Sequence, residues 1–589
     1  MKVVKYLVDS LRIILKYDKK DALLIFVLKM VIAGLGPLVV LETQIIVDKL
    51  VFYMKGRKQD EHLFFFVIII CITMLVQVVM DGIKKNCELA LVKIMNMDFL
   101  NDIECKFDRI RYMSFENSVE QDIFSKMSNK PQEKLIQIYN EFVEIVGCLA
   151  SVIWYIFIFL RISWGFSLAY IGILSMMIYV NNKAMILVNK LYFAQTKEER
   201  KMNYLQRIMA DKNVIQDLQI FQARKYVLLK WKQTIRKVLN ERLQTTLSSQ
   251  KYFSEYSFVK LIWLLILLFF LVNSIRTDRI TVGLFVALVG SAANLMEVSG
   301  KLSQKLFEIV KKSSFVHYYN LFISLPERDV LESKKENYND EIKIEFKEVS
   351  FTYPGTKQEV LNNISFSFTN KEKYALVGAN GAGKSTLIKL LCGLYKPTRG
   401  DIFINNTNIS KISEIDLRRI FSVVFQDYGK YSMSIKENVA LGNINKIICE
   451  AEIKQALMAG GAEKFCNKLN QMLGKYSQDG VDISGGEWQR IALARAFFSD
   501  AKIIIFDEPT ASLDPLAESY MYKNLSESLS TRSYIMISHR LASARFADKI
   551  LVLKDGMICE FGKHEELLAR NGLYASMWRR QSSWYQTEK

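Results

Sequence analysis

Residues Gly378 to Thr386 read Gly-Ala-Asn-Gly-Ala-Gly-Lys-Ser-Thr and follow the apolar run Tyr374-Ala375-Leu376-Val377. The pattern is that of a phosphate-binding loop. A buried strand ending at Val377 delivers the chain into a turn, Gly378-Ala379-Asn380-Gly381-Ala382-Gly383. There the glycines let backbone N–H groups close around phosphate oxygens without a Cβ in the way. Lys384 supplies a point charge for the outer phosphates. Ser385 puts a hydroxyl where Mg²⁺ needs an oxygen ligand, and Thr386 opens a helix whose positive end faces the nucleotide. The full G-x-x-x-x-G-K-S spacing, set between a strand signal and a helix signal, makes a chance glycine-rich turn the weaker reading. ATP and Mg²⁺ are the cofactors expected.

The 589-residue chain is 50% hydrophobic, and its mean hydropathy lies above zero. It is too long for one domain and too apolar for an ordinary soluble enzyme. Most of the net charge of +18 sits in the apolar half, where 44 Lys and Arg stand against 30 Asp and Glu up to Val330. That placement suits cytoplasmic loops and anionic lipid headgroups, and disfavours nucleic acid, which calls for a basic stripe on a soluble domain. The eight cysteines form no C-x-x-C pair and no ligand-like spacing to a histidine. Free thiols in a reducing compartment are expected, without structural zinc.

Six apolar stretches approach the ~20 residues needed to cross a bilayer core: Ala22–Val47, Leu63–Met80, Phe142–Leu160, Gly165–Val180, Phe258–Val272 and Ile280–Met296. Two long gaps between them, Asp81–Glu141 and Asn181–Ser257, are charged but keep Leu, Ile and Met at helical spacing, so they read as helices leaving the bilayer. Residues 1–20 place Val4, Leu7, Leu11, Ile14 and Leu15 at helical spacing among lysines, as in an amphipathic helix lying on the inner membrane face. With six spans the amino terminus and the phosphate-loop domain share a side, and ATP makes that side the cytoplasm. The loop Asp48–His62, rich in Lys and Arg, runs against the usual charge rule, so orientation rests on the nucleotide. Gly34-Leu35-Gly36-Pro37 in the first span reads either as close helix packing or as a gating bend. Lys29, Glu42, Gln77 and Glu297 are polar residues within or at the ends of spans; such residues face a bundle interior or a wet cavity, with snorkelling the alternative for Lys29 and Glu297 near the cytoplasmic ends. From Ser324 to Glu341 the chain turns polar and loses its apolar period, placing a linker at 324–341.

The second half adds ordered motifs. Ile342–Tyr353 alternates as a strand and ends in Phe351-Thr352-Tyr353-Pro354-Gly355. Ser422-Val423-Val424-Phe425-Gln426-Asp427 reads as a strand end. Ile503-Ile504-Ile505-Phe506-Asp507-Glu508 is an apolar strand closing on two carboxylates, and buried parallel strands carry ligand chemistry at that end. Ile537-Ser538-His539-Arg540 follows another apolar strand. Asp482-Ile483-Ser484-Gly485-Gly486-Glu487-Trp488-Gln489-Arg490 contains S-x-x-E, a capping box, so a helix should start at Ser484 and run through Phe498.

On these motifs the chain resembles a half-transporter of the ATP-binding cassette (ABC) exporter family. The implied fold is an α-helical six-span transmembrane domain of exporter type (1–323) fused to an α/β P-loop ATPase domain (342–589). That domain has a mainly parallel sheet, a helical subdomain and an antiparallel β subdomain. The resemblance makes Tyr353 the aromatic that stacks adenine; the alternative is an ordinary strand-end aromatic. It makes Gln426 and Asp507, with Ser385, the Mg²⁺ ligands, Glu508 the residue that polarises the attacking water, and His539 the γ-phosphate contact. Ser484, Gly485, Gly486 and Glu487 match the signature segment, although the family more often has Leu at 483 and Gln at 487. In the family that helix start receives the γ-phosphate of ATP bound on the opposite subunit, and Asp514 lies in the loop crossing the dimer seam. Phe115–Met127 and Tyr204–Phe221 resemble the two coupling segments.

The expected function is ATP-driven efflux by a dimer of such chains in a bacterial cytoplasmic membrane, by alternating access. A homodimer is expected because Lys384, Ser484, Glu508 and His539 are all present, with a heterodimer as the alternative. Ser484–Arg490 and Phe425–Tyr431 look most like bacterial exporters of lantibiotics and other modified peptides, a group that overlaps with multidrug exporters of amphipathic small molecules. An importer built on the same scaffold and a regulatory membrane ATPase are the alternatives. No cysteine-protease domain precedes residue 20, so leader cleavage is not expected.

Overall fold

The computed structural model describes residues 2–54, 63–160, 201–277, 280–328, 341–475, 479–508, 532–538 and 541–586, with isolated positions at 164–199, 331 and 333. The chain divides into two compact units. One is Met1–Asp108 with Asp122–Leu325; the other is Arg109–Gln121 with Pro326–Lys589. A short piece of the first half therefore belongs to the second unit.

The first unit is helical. Helix α1 spans Lys2–Tyr17, α2 Lys19–Met54 and α3 Leu63–Ile94, which continues through a π-turn at Met95–Phe99 into α4, Leu100–Arg109. After two short helices, α5 (Tyr112–Glu116) and α6 (Ser118–Met127), α7 runs from Pro131 to Leu160, and two long helices follow, Arg224–Arg276 and Val282–Ile323. Among the described residues, five helices are long and apolar enough to cross a membrane. The expected fourth span, Gly165–Val180, lies largely outside the described residues. The 53 residues of Arg224–Arg276 make a rod of about 80 Å. Both long gaps are thus mainly helical where they are described, broken at 110–111, Asn117 and 128–130 in the first and at 209–211 and 221–223 in the second.

Helix α2 runs unbroken through Pro37. Its small residues sit where α7 crosses it: a Cβ on Gly36 would come 3.2 Å from the Tyr155 hydroxyl, and Ser151 donates to the Ala33 carbonyl. Close packing accounts for Gly36, whereas at Gly34 a Cβ would have ordinary room, 3.8 Å from the Trp154 indole nitrogen. Lys29 does not snorkel; it donates to Glu144 of α7 at 2.8 Å, and Lys84 of α3 reaches the same carboxylate at 3.1 Å. Glu42 accepts from Thr73 of α3 at 2.9 Å. These polar groups tie helices together. Asp48 does the same, accepting from Thr281 Oγ1 at 2.8 Å and Gly283 N at 2.7 Å, which caps Val282–Ile323. Helix α1 buries Ser10 and Ile14 against the rest of the unit but leaves Val4, Val8 and Leu15 exposed.

Among its described residues the second unit contains two sheets. An antiparallel sheet has the order β2-β1-β4-β5, and a six-stranded sheet the order β10-β9-β3-β8-β7-β6. The strands are β1 Lys343–Thr352, β2 Glu359–Thr369, β3 Tyr374–Gly378, β4 Arg399–Ile404, β5 Thr407–Asn408, β6 Phe421–Val424, β7 Ile503–Asp507, β8 Ser533–Ile537, β9 Lys549–Lys554 and β10 Met557–Gly562. β9, β3, β8, β7 and β6 pair in parallel, and β10 closes the edge antiparallel. Every residue of β3, β7 and β8 is buried, as a parallel strand covered on both faces requires. A separate apolar core, including Ile435, Ile453, Leu457, Trp488, Ile491 and Phe498, forms the helical subdomain. Most of the expected linker lies outside the described residues, but its start is anchored: Ile110 and Glu327 form an antiparallel bridge, and Arg328 N donates to the Arg109 carbonyl at 2.7 Å.

Candidate nucleotide site

β3 carries the loop out of the core at Gly378. A Cβ there would lie 2.3 Å from the Leu553 carbonyl of β9, so only glycine lets the two strands close at this point. At Gly383 the chain turns with φ of 97° before the helix Lys384–Leu391, which begins two residues earlier than the sequence suggests. Lys384 is 5% exposed and its Nζ donates to the Gly378 and Ala379 carbonyls at 3.0 Å each. Burial holds its ammonium below the ordinary lysine range, against the opposing pull of Glu508 and Asp507. A concentrated charge in a low-dielectric pocket is what phosphate binding uses.

β7 ends beside this loop. Ser385 Oγ donates to Asp507 Oδ1 at 3.3 Å, bringing together a hydroxyl and a buried carboxylate. Among the described residues no cluster of three or more His, Cys, Asp and Glu could hold a metal. One hydroxyl and one carboxylate suit Mg²⁺, which keeps few protein ligands and fills its shell from phosphates and water. Gln426 is exposed just past β6, beside a cleft of about 1170 Å³ lined by Phe425, Asp427, Tyr428, Tyr431 and Arg495. Glu508 follows Asp507 with φ of 53°, and its N–H donates to the Ile537 carbonyl at the end of β8. A non-glycine residue held in the left-handed region at a strand end carries strain of ~1–3 kcal/mol, which is common at functional sites. His539 and Asp514 lie outside the described residues.

Tyr353 bonds Thr386 Oγ1 through its hydroxyl at 3.0 Å, which ties the expected adenine platform to the first turn of the phosphate helix. Its ring meets Tyr395 edge-on at 5.5 Å, and Lys389 Nζ lies 5.6 Å from its centroid. Lys389 and Tyr395 both donate to Glu116, the lysine at 3.0 Å. The first expected coupling segment is thus bonded to residues that flank Tyr353. In the other, the helix Lys212–Ile220 ends with Ile220 and Phe221 exposed.

The signature helix spans Gly485–Phe498 with Ser484 as its N-cap. Glu487 N donates to Ser484 Oγ at 3.3 Å, and Ser484 N to Glu487 Oε2 at 2.7 Å, the reciprocal capping box read from S-x-x-E. The other carboxylate oxygen pairs with Lys464. Tyr428, two residues past Gln426, donates to the Gly485 carbonyl at 2.7 Å. Sequence reasoning missed Lys464, Tyr428, Lys389 and Tyr395. An acidic residue where phosphate is expected calls for a nearby cation, but with 79 Lys and Arg in the chain the sequence does not say which.

The ABC transporter family model matches residues 361–511, the stretch holding the loop, Gln426, the signature helix start and the β7 carboxylates. The ATP-dependent lipid A-core flippase of Xylella fastidiosa is 30% identical over 74% of this chain and 72% of its own length. The chain belongs to the ABC transporter family. It is an ATP-binding, multi-pass membrane transporter of exporter type. The nisin transport ATP-binding protein NisT of Lactococcus lactis is 27% identical to this transporter over 97% of the chain and 95% of NisT. The subtilin transport ATP-binding protein SpaT of Bacillus subtilis is 31% identical over 66% of the chain, and the match spans 64% of SpaT. The fold is that of a bacterial Atm1-family ABC exporter solved with ATP bound, with a TM-score of 0.77 at 22% identity over 94% of this chain and 97% of that one.

Proposed function

We propose that this transporter exports a peptide of the lantibiotic or bacteriocin kind, or failing that a lipophilic small molecule, across a bacterial cytoplasmic membrane. It works as a homodimer, with the nucleotide-binding unit in the cytoplasm. The observation that carries the reading is the end-to-end likeness to the nisin transporter, since the likeness to SpaT covers less of each chain.

In this reading the loop N–H groups and Lys384 hold the phosphates of ATP, and Tyr353 stacks on adenine. Ser385, Gln426 and Asp507 would hold Mg²⁺, which when bound offsets phosphate charge. Glu508 takes a proton from the attacking water, and His539 contacts the γ-phosphate. Ser484, Gly485, Gly486, Glu487 and Asp514 of a second copy face the same nucleotide, so two copies complete two sites. Closure of the nucleotide-binding units is passed to the membrane helices as a rigid-body change.

The test is ATP-dependent uptake into inverted vesicles carrying this transporter, comparing a lanthionine peptide, a lipophilic dye and a labelled phospholipid. Glu508→Gln should cut ATP turnover by ~10²–10⁴-fold and abolish uptake while ATP still binds. Near-normal turnover in that variant would overturn Glu508 as base. Uptake of phospholipid alone would overturn the substrate reading, and uptake only into right-side-out vesicles would overturn the direction.

A further inference from the structure

The signature helix poses an electrostatic problem. Its N-terminus is an anion site through its free N–H groups and its dipole, yet its third residue is Glu487, where the family more often has glutamine. An uncompensated carboxylate there would repel the terminal phosphate of ATP. The helix cap disposes of one oxygen, because Oε2 accepts the Ser484 N–H. The other oxygen, Oε1, pairs with the Lys464 ammonium.

Lys464 comes from the 3₁₀ turn Glu463–Phe465 of the helical subdomain. Phe465 is buried in that subdomain's core, which fixes the turn, and the lysine Nζ sits 4.9 Å from the Phe465 ring centroid. The lysine side chain is 54% exposed and that of Glu487 22%. An exposed pair of this kind adds little to folding stability. Its effect lies in the local field, where one positive charge cancels one negative charge within the first turn of the helix that meets phosphate.

We propose that Lys464 is a positioning residue for ATP: it neutralises Glu487 and holds it against the cap, keeping the start of the signature helix receptive to the terminal phosphate of nucleotide bound on the partner copy. The inference rests on the proposed role of Ser484–Glu487 in the composite site. In this role Lys464 acts through Glu487 and not on the nucleotide directly. Its importance follows from the glutamate, so a chain with glutamine at 487 has no need of it.

The test uses the full chain in lipid nanodiscs, measuring kcat and KM for ATP in Lys464→Ala, Lys464→Arg, Lys464→Glu, Glu487→Gln and the double variant Lys464→Ala/Glu487→Gln, with Ser484→Ala alongside. Lys464→Ala should raise KM about three- to tenfold with kcat changed less than about twofold, Lys464→Glu should raise it further, and Lys464→Arg should restore it. In the Glu487→Gln background Lys464→Ala should have no further effect on KM. An unchanged KM in Lys464→Ala overturns the proposal, and so does an equal rise in the Glu487→Gln background, because the lysine would then act independently of the glutamate. Ser484→Ala separates the two levels. If it is harmless, the composite-site reading fails along with this one; if it is damaging while Lys464→Ala is silent, only the role of Lys464 fails.

Discussion

Glu487 and Ser484 hold the start of the signature helix by reciprocal hydrogen bonds, but their loss should not weigh equally. Glutamine at 487 can still accept the Ser484 N–H, and losing a cap interaction costs only ~1 kcal/mol, so Glu487→Gln should change maximal ATPase activity by less than about tenfold. Ser484→Ala removes both the cap acceptor and a hydroxyl exposed at the helix start, and should be the more damaging. Steady-state ATPase rates at saturating ATP check the ranking. The reverse order would mean that the carboxylate itself acts in hydrolysis or coupling.

At the scale of elements, two glycines in the membrane unit differ in what surrounds them. A Cβ on Gly283 would sit 2.3 Å from the Gln44 backbone carbonyl and 2.5 Å from the Asp48 carboxylate, whereas one on Gly147 would meet the Lys29 chain, with Cε at 2.5 Å. A lysine stem can swing aside; a helix backbone cannot. Gly283→Ala should therefore cost ~1–3 kcal/mol by forcing α2 away from the cap of Val282–Ile323, and should lower the thermal midpoint more than Gly147→Ala. Equal shifts would show that the backbone approach at Gly283 is no stiffer a constraint than the Lys29 stem at Gly147. The docking of Arg109–Gln121 within the second unit gives a second element-scale expectation. Burial pushes the Glu116 carboxyl up, but hydrogen bonds from Tyr395 and Lys389 outweigh it and hold it below the ordinary range. Stability from this contact is fully present above the ordinary carboxylate range and is lost as pH falls through the depressed value. Glu116→Ala should speed amide exchange in 109–121 about fivefold at neutral pH, equivalent to ~1 kcal/mol for a partly exposed site. Unchanged exchange would show that other contacts hold the segment.

For the whole molecule, intact Lys384, Ser484 and Glu508 in one chain lead to the expectation that the purified chain hydrolyses ATP without a second gene product. In the proposed composite sites two copies act together, so ATP dependence should be cooperative, with a Hill coefficient of about 1.5–2. Mixing in excess Glu508→Gln chain should suppress the activity of the wild-type chain beyond simple dilution. A chain inactive alone in lipid and rescued by a related subunit would contradict this.

What the sequence determined by itself is local. The glycine spacing of 378–383, the Ser484–Glu487 cap, the buried strands around the site and the long helices beyond the bilayer all depend on residues within a few positions of one another. Their steric and hydrogen-bonding consequences can be read from spacing and period alone. Tertiary structure alone decided the rest. Lys464 meets Glu487, Tyr353 meets Thr386, Asp48 caps a helix that starts past residue 280, and Glu116 reaches Lys389 and Tyr395. These partners are 23 to 279 positions apart and carry no periodic signal. A charged or hydroxyl side chain has the same local propensity whichever distant partner it finds, and only the packing of the elements brings one within reach.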